Sequence, residues 1–119
     1  MQERFPKSVY GVGDEPDPRF TLANERTFLA WIRTSLALTA GGVAIDAVAL
    51  PLPGWVRVAT SVVLLVLGLA VPLLSWRSWA ATERALRLGR PLPASALTLP
   101  LAIGLLVVAL LVVVGVLVR

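Results

Sequence analysis

The chain has 119 residues, 57% of them hydrophobic and 15% charged, with a mean hydropathy of +0.83. Its net charge of +4 comes from ten arginines and one lysine against seven carboxylates. A soluble domain of this size could not hide so much apolar surface. The lack of Cys and His excludes disulfides, thiol chemistry, most zinc sites and a histidine general base.

Three apolar runs are each long enough to cross a hydrocarbon core of about 30 Å, which takes about 20 helical residues. The expected fold is an all-α integral membrane domain with three transmembrane helices and no separate soluble domain. Without a basic, aromatic-interleaved soluble face, the positive charge reads as orientation and lipid-surface chemistry; no nucleic-acid partner is expected.

Residues 1–20 form a polar leader with no apolar h-region, so no cleavable signal peptide is expected and the first span itself directs insertion. Gly11, Gly13, Pro16 and Pro18 argue against a continuous helix there. Asp17-Pro18 is a good helix start, with Thr21 a competing cap. The first membrane helix is expected over 21–50, ended by Pro51, Pro53 and Gly54. The second is expected over 55–88, with Trp55 at one interface, Trp76 and Trp79 at the other, and a bend at Pro72. Its end carries a predicted Glu83–Arg87 pair at i,i+4 spacing, then Gly89 and Pro91 as stop signals. The third helix is expected over 95–118 and carries no chemistry-bearing residue before Arg119.

The basic flanks set the orientation. Arg4, Lys7, Arg19 and Arg26 precede the first span, and Arg77, Arg84, Arg87 and Arg90 lie between the second and third. The other two flanks have only Arg57 and Arg119. The positive-inside rule therefore predicts a cytoplasmic N-terminus and an outside C-terminus.

The stretch Asn24–Ser35 carries charge into the first span. Arg26, Ala30, Arg33, Ala37, Ala40, Ala44 and Ala47 recur at alternating steps of four and three, within an arc of roughly 100°. This face has two readings: a small-residue packing seam, or a wall facing the axis of an oligomer, with the arginines forming rings. Arg33 lies roughly 7–8 Å inside the apolar run, a depth from which an arginine can snorkel to the interface. The alternative is a shared polar site with Thr27, Thr34 and Ser35, in which Asn24, or a carboxylate from Glu83 or a neighbouring chain's Glu25, partners Arg33. Asp46 and Arg57 flank the turn between spans one and two and predict a hairpin-closing salt bridge; a proton or ion role is the alternative. Ser35, Ser61 and Ser75 have no base at catalytic spacing, so no catalytic residues, metal or cofactor are expected and the chain is not read as an enzyme.

The run Asn24-Glu25-Arg26-Thr27-Phe28-Leu29-Ala30-Trp31-Ile32-Arg33-Thr34 resembles the bacterial YidH-like family of three-helix membrane domains of unassigned function. Arg4-Phe5-Pro6, 15–20 and Gly89-Arg90-Pro91-Leu92-Pro93 extend the resemblance over most of the chain. The domain is also similar to the small membrane subunit of the yeast vacuolar transporter chaperone complex, which makes polyphosphate and passes it across a membrane. That resemblance implies a homo-oligomer, a pentamer, with Arg26 and Arg33 on a conduit wall, Glu25 beside them and a polyanion as partner. The chain lacks the soluble polymerase and phosphate-sensing domains of that complex, so it is not expected to make polyphosphate itself. The leading expectation is an anion-binding or anion-conducting ring for phosphate or polyphosphate. The alternative is a non-catalytic scaffold or accessory subunit that assembles with another membrane protein.

Overall fold

A computed structural model describes residues 4–119, so the first three residues of the leader lie outside the described residues. Four helices follow one another: α1 (Lys7–Tyr10), α2 (Pro18–Ala47), α3 (Gly54–Leu88) and α4 (Thr98–Val118). The last three are long and apolar enough to cross a membrane. The one-turn α1 lies where the leader's glycines and prolines predict no continuous helix, and Gly11 closes it by donating to the Lys7 carbonyl.

α2 starts at Pro18 because Asp17 caps it. The Asp17 carboxylate accepts from the Arg19 backbone N–H at 2.9 Å and from the Arg19 guanidinium at 2.8 Å. The Arg19 side chain, and then its N–H, hold the Asp17 carboxyl below its usual range. The helix ends at Ala47, three residues before the expected position 50, because Val48 turns extended at φ −90°, ψ 129°. α3 runs 35 residues, about 52 Å at 1.5 Å per residue, so it outreaches the hydrocarbon core by several turns. Its stop is a left-handed Gly89 (φ 66°), with Arg90 N–H bonded to the Ala85 carbonyl and Gly89 N–H to that of Leu86.

α3 is the central element. α2 and α4 each pack against it, while no Cα of one comes within 8 Å of a Cα of the other. Leu38 of α2, Leu64 and Val71 of α3, and Leu97 just before α4 form a small core, against which Leu101 and Val108 of α4 pack. Gly104 gives α4 its close approach to Leu67, and Gly115 to Val56 and Leu52.

Polar side chains on backbone carbonyls set the α2–α3 contact. Asn24 Nδ2 donates to the Trp79 carbonyl (3.1 Å), Ser35 Oγ to the Gly68 carbonyl (2.7 Å) and Ser61 Oγ to the Gly42 carbonyl (2.7 Å). All three bonds lie in one antiparallel register: eleven residues from 24 to 35 match eleven from 79 to 68, and seven from 35 to 42 match seven from 68 to 61. The Gly68 bond has a specific cause. Its carbonyl would accept from the N–H of residue 72 in an unbroken helix, but Pro72 has none. Ser35 supplies the missing donor from across the interface. Gly68 has no room for a side chain, since a Cβ there would collide with Thr39 Oγ1.

This arrangement predicts a testable coupling. Ser35→Ala is expected to lower stability by about 1–2 kcal/mol, because it strands a buried carbonyl. In a Pro72→Ala background residue 72 regains its N–H, and the same substitution is expected to cost less than half as much, read by thermal unfolding in detergent as a double-mutant cycle.

Candidate functional site

Beyond the Trp76 level, α2 and α3 continue side by side and hold a buried carboxylate. Glu83 is 1% exposed and accepts from Thr21 Oγ1 (2.9 Å) and Asn24 Nδ2 (3.2 Å). Asn24 and Glu83 therefore do share a polar site, but with Thr21 and without Arg33. Arg33 is exposed on the other side of α2 and is not among the residues bonded to Glu83.

The predicted Glu83–Arg87 pair does not form among the described residues, because α2 and the leader take up the two side chains separately. Arg87 is itself buried, at 9% exposure, and turns to the leader. Its Nε donates to the Val12 carbonyl (2.8 Å), and its two terminal nitrogens to the Tyr10 carbonyl (3.2 Å) and to Glu15 (3.4 Å). The leader answers with its backbone: Asp14 N–H donates to the Arg87 carbonyl at 3.0 Å. Gly13, at φ 59°, passes so close to that carbonyl that a Cβ would overlap it. Arg84 bonds the Ser8 carbonyl (2.8 Å), Arg4 pairs with Glu15, and both Arg4 and Arg87 lie over the Tyr10 ring. Tyr10, Trp79, Trp76 and Phe28 continue the contact as a chain of tilted and edge-on rings. The leader is thus strapped to α3, and no spacing rule in the sequence signals this.

The arginine and alanine face points outward. Glu25, Arg26, Arg33, Ala30, Ala37, Ala40, Ala44 and Ala47 are all exposed. Within the chain these alanines are not the packing seam; Ser35, Leu38 and Gly42 are the buried residues of α2. Glu25 and Arg26 line a shallow recess with Arg19. Arg33 sits seven residues further along, about 10 Å deeper. The α2–α3 register places Arg33 level with Ala70, six residues or about 9 Å along the span from the Trp76 level.

The Asp46–Arg57 salt bridge is a correction. Ion pairs among the described residues are Arg4–Glu15, Arg19–Asp17 and Arg87–Glu15. Asp46 is exposed, whereas Arg57 is half-buried with its Nε enclosed and without a partner, as is the Thr60 hydroxyl one turn on. Residues 48–53 separate the two helices, and Asp46 stays on the exposed side of α2.

The strap can be released selectively. Arg87→Met removes the donors to Val12, Tyr10 and Glu15, and is expected to free residues 8–15 while the membrane helices stay folded. Amide exchange at Asp14 should speed up by at least about tenfold, with helical content unchanged.

The family model for a domain of unknown function, DUF202, matches residues 19–85. The inner membrane protein YidH of Escherichia coli (strain K12) is 42% identical over 108 residues, which cover 85% of this chain and 89% of that protein. An uncharacterised protein of Mycobacterium tuberculosis (strain H37Rv) is 46% identical over 96 residues, 79% of this chain and 78% of its own. No solved structure matches. With three helices able to span a membrane and inner-membrane relatives of similar length, this chain is a multi-pass inner-membrane protein and belongs to the YidH-like DUF202 family.

Proposed function

We propose that copies of this chain associate through the outward face of α2 and that Arg26 and Arg33, with Glu25 at the mouth, form an anion-binding ring there. The observation that carries this reading is the placement of Arg33. It is exposed on a helix whose opposite side is already packed, and it lies at membrane depth. An unpaired guanidinium facing lipid at that depth is costly. A face of small side chains running on from it allows close approach of another helix. Stacked arginines repel one another, so an anion such as phosphate or polyphosphate, or the Glu25 carboxylates of neighbouring chains, would offset the charge. In this reading the leader and the basic end of α3 lie in the cytoplasm, as the positive-inside rule requires, and the chain itself does no catalysis.

The absence of native cysteine makes the interface directly testable. Ala40→Cys is expected to cross-link copies in native membranes, and Leu73→Cys, on the exposed surface of α3, is not. In liposomes, anion flux or anion binding should fall by about tenfold or more in Arg33→Ala and be largely kept in Arg33→Lys. Cross-linking without any Arg33-dependent anion effect would instead favour a scaffold. Absence of both would remove the ring.

A further inference from the structure

We infer that the leader end of the molecule carries a phospholipid-binding cavity, separate from the arginine face and independent of the ring reading. The cavity has a volume of about 260 Å³ and lies between α2, the extension of α3 and the connector before α4. Its walls include Asn24, Thr27, Trp31, Ser78, Trp79 and Thr82. Phe20 and Leu92, 56% and 61% exposed, stand at its rim, so it opens to the surface.

Depth identifies the medium. Trp31, level with Pro72 in the α2–α3 register, and Ser75 lie at the inner end, just inside the Trp76 level, and Thr82 and Leu86 at the other. Ten residues separate Trp76 from Leu86, about 15 Å of helix. The headgroup and glycerol layer is only about 5–7 Å deep on each side of a bilayer, so the cavity crosses all of it, from the edge of the hydrocarbon outward.

Its chemistry matches that region. Among the described residues, the hydroxyls of Thr27, Ser78 and Thr82 have no partner within the protein. Ser75 and Thr34, in contrast, are committed to the carbonyls of Pro72 (3.1 Å) and Ala30 (3.2 Å). Three free hydroxyls on the same wall as Trp31 and Trp79 suit the ester and phosphate oxygens of a phospholipid, with the indoles beside the start of its acyl chains. A pocket of this size holds the glycerol–ester part of a lipid and not the whole molecule. The lining contains no charged side chain, so it should not discriminate by headgroup charge. The buried Glu83 is already satisfied by Thr21 and Asn24 and is no part of the lining.

The test is native mass spectrometry of the full chain after extraction in mild detergent and repeated washing. The expected result is a single phospholipid retained per chain, with zwitterionic and anionic classes both represented. Thr27→Phe and Ser78→Phe, which fill the cavity from the two helices, should each lower retention by about tenfold. Leu69→Phe, on the exposed surface of α3, should leave it unchanged. Helical content and the tryptophan spectrum verify that each variant is folded, and the wild-type measurement stands without them. No retained lipid, retention unaltered in both folded variants, retention of anionic lipids alone, or a water-soluble molecule in place of a lipid would each overturn the assignment.

Discussion

Everything in this molecule hangs on a carbonyl that its own helix cannot satisfy. Pro72 removes the donor that the Gly68 carbonyl would use, and it does so inside a span where no water can substitute. Ser35 supplies the bond from α2, and the bare Cα of Gly68 lets the two helices approach closely enough for it. The Ser61–Gly42 bond repeats the device seven residues along α2, nearly two full turns, so both bonds fall on one stripe. Once that stripe is fixed against α3, the rest of α2 has no rotational freedom.

Two consequences follow at the two levels of the helix. Toward the leader, the same register brings Thr21 and Asn24 to Glu83, where a neutral hydroxyl and an amide satisfy a buried carboxylate. The opposite side of α2 must face outward, and it carries Arg26, Arg33 and the alanines. α4 does not reach that side, since it lies on α3 away from the α2 backbone. A charged, small-residue face left free at membrane depth is what motivates association between copies. The strap of the leader on Arg87 acts elsewhere, holding the basic end of α3 and leaving the arginine face untouched.

Much of this is legible in the sequence. Three spans, the Gly89 stop and the Arg–Ala periodicity all follow from patterns with a period, and a period is what a helix preserves. The failures concern pairs rather than patterns. Glu83 and Arg87 have ideal i,i+4 spacing, yet each found a stronger set of partners on a different segment. Asp46 and Arg57 flank one connection, but adjacency along the chain does not decide which way two side chains turn. Ser35 reads in the sequence as a polar residue at the level of Arg33, not as a donor to Gly68. The signal was present: Pro72 stands four residues after a glycine, which marks an orphan carbonyl in need of a hydroxyl. The Arg87 bonds to Tyr10 and Val12 carry no such signal, because they go to backbone carbonyls that every sequence possesses.

The central claim is that α2 packs on α3 through the Ser35–Leu38–Gly42 stripe and so turns its arginine–alanine face away. Disulfide scanning within single chains in native membranes tests it most directly, since there is no native cysteine to interfere. The pair Leu38→Cys with Leu64→Cys joins two residues of the shared core and should form an intrachain disulfide. The pair Ala40→Cys with Leu64→Cys should form none. A disulfide between positions 40 and 64, with none between 38 and 64, would mean that the alanine face packs inward and would contradict the account.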